Sequence, residues 1–327
     1  MNKNEVELSI IVPVYNVEKY VGECLQSLTN QTLSNYEVII VNDGSEDKSL
    51  EICKKIANKY DYIKIISQEY KGPGAARNLG IKNSSGKYIG FVDSDDYVKS
   101  DMFEKLLNAA KQDDVDIVIC NFERYFEDAK KKVLFKTGLK ENKIYNNQEL
   151  MEAYLSSKIN SLAWNKIYKR YLFDDIIFDE GVYYEDTYPA YKLIEKSKSG
   201  KKVDDYLYVY RIRKNNITSR FDIQKIRDLN ASIIKVNEAY KKNPTFNKKL
   251  IEAFNMSYIN LSLDLYIKNM NYEYKKIYKQ FDEYYKGYYI SSLFSVVFNR
   301  YMKKNMKLKY ILFKLRILPM IKKLKRR

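Results

Sequence analysis

The sequence contains no histidine among its 327 residues. That absence removes Ser-His-Asp and Cys-His catalysis, together with every His-ligated metal site. A metal here would be held mainly by oxygen, which favours Mg²⁺ or Mn²⁺ over zinc. Cysteine is scarce: Cys24, Cys53 and Cys120 lie far apart in apolar patterns, an odd set that predicts buried thiols instead of a disulfide framework and favours a reducing cytoplasm. No stretch reaches the about 18 apolar residues that a membrane span needs. The apolar run from Leu8 to Val14, behind Glu5 and Glu7, does not read as a signal peptide. Acidic residues are missing altogether from Tyr284 onward, where 13 Lys or Arg stand unopposed. The net charge of +16 is therefore concentrated in the tail, while the preceding residues carry 45 basic against 42 acidic groups.

What is present is a strand–helix alternation. Leu8–Val14, Glu37–Val41, Tyr62–Ile66, Tyr88–Val92 and Asp116–Cys120 are short Val/Ile-rich runs bounded by turn residues and read as strands. Between them, Glu18–Thr29, Asp47–Tyr60, Ala75–Asn83 and Ser100–Lys111 carry helical periodicity. This alternation predicts a mostly parallel, right-handed doubly wound sheet whose ligands bind at the carboxyl ends of the strands. A polar connection follows over 126–146, then helices over Asn147–Ser157 and Ile159–Arg170, a helix from Glu185 and a strand at Tyr206–Arg211. From Asp222 the pattern is helical throughout. The expected division is a catalytic α/β domain over 1–220, with a nucleotide-sugar half near 7–125 and an acceptor half near 126–220, followed by a helical region over 221–327.

The chemistry-bearing residues follow strands. Strand one runs into Pro13-Val14-Tyr15-Asn16 and strand two into Val41-Asn42-Asp43-Gly44-Ser45. Either alone is ordinary turn chemistry. Together they offer an aromatic face for a base and a carboxylate for a pyrimidine imide N–H. The segment Gly72-Pro73-Gly74-Ala75-Ala76-Arg77-Asn78 opens a helix whose N-terminus favours an anion, although a plain helix start competes with that reading. The apolar strand Tyr88-Ile89-Gly90-Phe91-Val92 runs straight into Asp93-Ser94-Asp95-Asp96. Carboxylates so placed are costly unless paired or bound to a cation. A divalent ion bridging them to a diphosphate is the economical answer, and a solvated helix-capping turn is the alternative.

These four ordered segments resemble the inverting family-2 glycosyltransferases with the GT-A fold, closely over about 7–125 and more loosely to about 220. The resemblance implies a GT-A type (Rossmann-like) mostly parallel sheet flanked by helices, followed by an all-helical C-terminal region. It implies that Pro13, Tyr15 and Asp43 hold a uridine and that Arg77 serves the nucleotide side. Asp93 then contacts ribose or metal, Asp95 is the principal ligand of Mn²⁺ or Mg²⁺ in a DXD motif, and Asp96 lies toward the sugar. The pair Glu185-Asp186 matches the family's Glu-Asp, with Asp186 as general base; without the resemblance it reads as acids favouring a helix N-terminus. Trp164-Asn165-Lys166 matches a segment on the acceptor side, where Trp164 would stack on a sugar unless it is core. The stretch Tyr210–Ser219 resembles the segment that closes over the diphosphate, assigning Arg211 and Arg213 to that group, with Arg213 standing where many relatives place histidine.

The implied reaction moves a sugar from a UDP-sugar to a hydroxyl of a lipid-linked glycan or surface polymer, at the inner face of the membrane. A catalytically silent nucleotide-sugar-binding scaffold is the rival, and the intact acidic motifs argue against it. In Lys307–Leu318, residues Leu308, Ile311, Leu312, Leu315 and Leu318 share a face beside Lys307, Lys309, Lys314 and Arg316. Tyr310, Phe313 and Ile317 spoil a clean polar side. This tail suits an anionic membrane surface, with packing or homo-oligomerisation as competitors. No recognition motif accompanies the charge, so nucleic acid is not an expected partner.

Overall fold

A computed structural model describes residues 5–213, 222–242, 244, 246–269 and 293–315. The chain divides into two compact units, one formed by Met1–Met151 and Asn160–Asn216, the other by Glu152–Ile159 and Ile217–Arg327.

In the first unit the apolar runs form strands as their burial demands. β1 (Leu8–Val14), β2 (Tyr36–Asp43), β3 (Ile63–Gln68) and β4 (Tyr88–Phe91) alternate with α1 (Val21–Thr29), α2 (Ser49–Ala57) and α3 (Pro73–Lys82). β1 pairs in parallel with both β2 and β4, and β2 with β3. Every residue of β4 is buried, as expected for a strand covered on both faces. After β5 (Tyr97–Val98) and α4 (Met102–Gln112) comes β6 (Ile117–Phe126), and the predicted polar connection contains two short strands, β7 (Lys131–Phe135) and β8 (Ile144–Asn146). α5 (Asn147–Leu155) follows.

The helix expected over Ile159–Arg170 is not formed. Lys166–Lys169 is instead strand β9, inserted antiparallel between β4 and β6, with a 3-10 turn at Arg170–Phe173. Its short apolar–polar pattern carries no local preference strong enough to resist two sheet edges in need of a partner. α6 (Thr187–Lys196) leads into β10 (Ser199–Ile212), which begins well before the strand expected at Tyr206. The sheet order is β3-β2-β1-β4-β9-β6-β10-β5, so a parallel doubly wound half is extended by a mixed half. β10 shifts register against β6 on either side of Tyr206. Irregularities of that kind re-aim side chains near sites.

The second unit is helical in its described parts: α7 (Ile223–Lys242), α8 (Lys248–Asn269), α9 (Leu293–Phe298) and α10 (Lys304–Lys314). Its core gathers Ile226, Met256, Leu263, Val296, Tyr310 and Phe313. The residues that spoil the tail's amphipathic pattern, Tyr310 and Phe313, are thus the buried ones; Ile317 and Leu318 lie outside the described residues.

The end of the sheet opposite the strand tips is organised by Glu37. Its buried carboxylate accepts from Ser9 Oγ at 2.8 Å, Ser85 N at 2.6 Å, Ser85 Oγ at 2.8 Å and Lys64 Nζ at 2.8 Å. Burial alone would raise its pKa, but these donors outweigh burial and lower it to about 2. A depressed carboxylate stabilises the fold above its unfolded value, and that contribution is lost as pH falls through the folded one. Glu37→Gln should cost about 2 kcal/mol at pH 7. The gap from wild type should shrink as pH falls from about 4.5 toward about 2, which chemical denaturation of both proteins across that range would measure.

Candidate active site

The tips of β1, β2 and β4 lie side by side, and their loops are knitted together. Asn16, in the left-handed region at φ 48°, accepts from Glu46 N at 2.9 Å, and its own amide donates to Ser45 Oγ at 3.2 Å. Tyr15 is partly exposed and pairs with Tyr70, ring centroids 4.3 Å apart. Tyr70 is 60% exposed and was not singled out from sequence, because its partner lies two strands away. Pro13 stays within β1, half-buried. Asp43 is buried, and its carboxylate is committed to the loop after β3: it accepts from Gln68 Nε2 at 2.7 Å, Lys71 N at 2.9 Å and Gly72 N at 2.8 Å. It therefore shapes the loop beside the tyrosine pair.

The three aspartates after β4 have three different environments. Asp96, expected to lie toward the sugar, is buried: Oδ2 accepts from the Tyr208 hydroxyl at 2.7 Å and Oδ1 from Arg211 N at 2.7 Å. Burial, with the neighbouring Asp95 and Asp93, pushes its carboxyl well above the ordinary range. The same Tyr208 oxygen accepts from Asp93 N at 3.1 Å, so one hydroxyl holds the turn from both sides. Asp95 meets Arg213 at 2.7 Å, and the Arg213 guanidinium also lies 4.6 Å from the centre of the Tyr20 ring. Burial and the like charge of Asp93 raise the Asp95 carboxyl, with Arg213 opposing them.

Asp93 meets Arg77, and Arg77 is the hinge of the site. Its buried guanidinium donates to Asp93 Oδ1 at 2.9 Å and, in a second short contact, to Glu185 Oε1. Burial lowers the arginine pKa, but Asp93 and Glu185 outweigh it and keep the cation charged. Arg77, expected to serve the nucleotide side, is thus an internal bridge between two carboxylates. Beside it, Asn78 accepts from Phe178 N at 2.8 Å and donates to Phe178 O at 3.0 Å, pinning the segment that leads to Glu185. Gly74 allows that approach, since a Cβ there would sit 2.0 Å from the Asp179 carbonyl oxygen. Tyr184 sits at φ 59°, an outlier for an aromatic residue, immediately before Glu185 and Asp186.

Asp186 precedes α6 and is raised to about 7, first by burial and then by Glu185, with Arg77 and Lys166 pulling it down. Lys166 is itself lowered to about 7 by burial, with Asp186 opposing. The residues expected on the acceptor side, Trp164-Asn165-Lys166, are buried. Trp164 is buried against Tyr208 and Tyr210, centroids 4.2 and 5.7 Å away, with its edge to Phe122. Asn165 is fully buried and donates to Cys120 O at 2.8 Å. Lys166 Nζ is surrounded by Asn160 Oδ1 at 2.9 Å, Leu162 O at 2.5 Å and Asn165 Oδ1 at 2.7 Å. These side chains form the floor beneath Asp186 and Asp96. Arg211, expected at the diphosphate, is also interior, donating to Asp95 O at 3.0 Å and Glu23 Oε2 at 2.5 Å with Tyr20, Tyr97 and Tyr125 around it. The rest of the predicted closing segment, 214–219, lies outside the described residues.

Among the described residues no three acidic or cysteine side chains converge as a metal cage. Mg²⁺ and Mn²⁺ bound with phosphates need only one or two protein carboxylates. Asp93 and Asp95 fit that need: the charge of Asp93 raises the cost of ionising Asp95, and each is held by an arginine that supplies the positive charge.

The β/α alternation and sheet order are those of a GT-A type fold, with carboxylates and aromatic rings gathered at the strand tips, where such sheets bind ligands. Residues 9–177, more than half the chain, match the model of glycosyl transferase family 2, and the protein belongs to that family. It is 38% identical over 217 residues to the uncharacterized glycosyltransferase EpsJ of Bacillus subtilis, covering 64% of this chain and 62% of that one. It is also 38% identical over 218 residues to glycosyltransferase GlyA of Streptococcus pneumoniae, covering 65% of this chain and 31% of that one. The chain thus spans less than two thirds of these relatives' length. Among solved structures, S. aureus TarS 1–349 in complex with UDP-GlcNAc has a TM-score of 0.74 at 18% identity, covering 98% of this chain and 92% of that one, a likeness of fold.

Tyr208→Phe should leave the fold intact and cost about 1–3 kcal/mol, because a buried carboxylate and the Asp93 amide lose a shared partner. Thermal unfolding of the two proteins measures it, and an unchanged melting temperature would refute the double role of that hydroxyl.

Proposed function

We propose that this protein transfers a sugar, with inversion, from a UDP-sugar to a hydroxyl group of a lipid-linked glycan or surface polymer at the inner face of the membrane. The observation that carries this reading is the Arg77 bridge. It ties Asp93 at the tip of β4 to Glu185 and so brings Asp186, a carboxylate with a raised pKa, to the same end of the sheet. The membership in family 2 and the fold shared with a UDP-GlcNAc-binding protein support the donor class.

In this mechanism the nucleotide base lies against the Tyr15–Tyr70 pair, and Arg213 turns from Asp95 to the diphosphate. Asp186 accepts the acceptor hydroxyl's proton while that oxygen bonds to the anomeric carbon. The bond from this carbon to the diphosphate oxygen breaks on the opposite face, and UDP departs with the electron pair. Asp93 and Asp95 would hold a Mg²⁺ or Mn²⁺ ion, which supplies charge neutralisation to the diphosphate. Lys166 and Arg77 keep Asp186 ionisable despite its burial.

Asp186→Asn should retain UDP binding and lose transfer by about 10²–10⁴-fold. Wild-type kcat/KM should rise with pH through about 7 and level off above it, since the base form is lost below that value. Release of UDP across a panel of UDP-sugars, with a lipid-linked acceptor extract added, measures both. Normal UDP binding with no turnover under any of these conditions would mark a silent scaffold. Asp95→Ala should remove any strengthening of UDP binding by Mn²⁺; calorimetry showing the same Mn²⁺ dependence in the variant would sink that ligand assignment.

A further inference from the structure

We propose that the outward faces of α9 and α10 form a docking surface for an anionic phospholipid bilayer. α9 divides cleanly in two. Val296 and Asn299 are fully buried, Ser295 Oγ donates to Glu252 at 2.6 Å, and Asn299 Nδ2 donates to Lys249 O at 2.8 Å. The opposite side presents Phe294 at 72%, Val297 at 48% and Phe298 at 63% exposure, with the two phenyl rings 4.5 Å apart. A helix this short that seats one side on its own core and turns two phenylalanines outward leaves an exposed apolar face among the described residues.

α10 repeats the division. Tyr310 and Phe313 enter the core, whereas Leu308 and Leu315 are more than half exposed. Lys307 joins the two helices, its Nζ donating to Val297 O at 2.8 Å. Of the apolar face expected from the sequence, Leu308 and Leu315 point outward while Leu312 packs against the core, and α9 supplies aromatic residues that helical periodicity in the tail did not reveal.

Charge selects the occupant. Arg300, Lys303, Lys304 and Lys314 are exposed around these apolar residues, and no acid occurs from Tyr284 onward. Of the nearby acids in this unit, Glu252 is buried under α9, Asp264 is paired with Lys309, and Glu152 lies near enough to Arg300 for its charge to be felt. α10 begins with Lys303 and Lys304 and has no acid in its first turn, the reverse of what its dipole prefers. An external layer of negative charge relieves that conflict. Exposed aromatic and leucine side chains on helices that also carry exposed cations match the boundary between headgroups and acyl chains, where each lysine near the surface adds roughly fivefold to binding. Among the described residues no helix is long and apolar enough to cross a membrane. The surface therefore lies on the bilayer without spanning it.

The inference rests on the acceptor reading above only for placing a membrane close by. Flotation of the full chain with vesicles of phosphatidylcholine, and of phosphatidylcholine mixed with phosphatidylglycerol, tests it without any sugar donor. The wild type should float only with the anionic vesicles and be released by high salt. Phe294→Ser/Phe298→Ser and Lys303→Glu/Lys304→Glu should each weaken that binding at least tenfold, with UDP affinity unchanged as proof of folding. Wild-type protein that stays unbound, or variants that float equally well, would overturn the proposal. A wild type that self-associates in sedimentation, with a monomeric Phe294→Ser/Phe298→Ser variant and no flotation of either, would assign the face to a second copy and also overturn it. A chain that binds vesicles but transfers no sugar leaves this inference standing and removes the other.

Discussion

Everything at the strand tips depends on one buried cation. Arg77 has no solvent to stabilise its charge, so it must find anions, and the two within reach come from different parts of the chain. Asp93 belongs to the turn after β4, and Glu185 to the segment before α6. Neither carboxylate could be drawn inward alone without a large desolvation cost. Held by one planar fork, they fix the distance between the donor end of the cleft and the residue proposed to activate the acceptor.

The neighbouring charges follow the same rule. Asp96, whose carboxyl is raised well above the ordinary range by burial, is held in place by Tyr208 and the Arg211 amide, and the Arg211 cation is met by Glu23, Glu127 and three tyrosine rings. Arg213 differs from Arg77 and Arg211 in keeping about a fifth of its side-chain surface in solvent, as does its partner Asp95. A charge pair that is only partly desolvated is the one that can exchange partners at modest cost. That distinction separates the scaffold of the site from its working surface.

Much of this was legible in the sequence where local signals are strong. Leu8–Val14 and the apolar run into Asp93 read as buried strands feeding carboxylates, and the structure has them so. Asp93, Asp95 and Asp96 looked like one cluster because spacing cannot show which acid will meet Tyr208, a residue 112 positions after Asp96. Trp164-Asn165-Lys166 likewise carries no mark of burial; β9 is a strand because β4 and β6 present open edges to it, a tertiary fact. Gln68, Tyr70 and Asn78 escaped notice for the same reason: each earns its role from a partner on another loop.

The separation of these partners also bears on how the site comes into being. Arg77 and Glu185 are 108 positions apart, Asp96 and the Arg211 amide 115, and Glu23 and Arg211 188. Contacts of such span form after local ones, since their loop entropy must be met first. A chain emerging from synthesis can assemble the parallel half from β1 to β4 while its acidic turn still lacks Arg211 and Tyr208. The acidic turn therefore has all its partners only once β10, the last strand in the chain, is in place, which makes that strand a condition of the site as well as one of its walls.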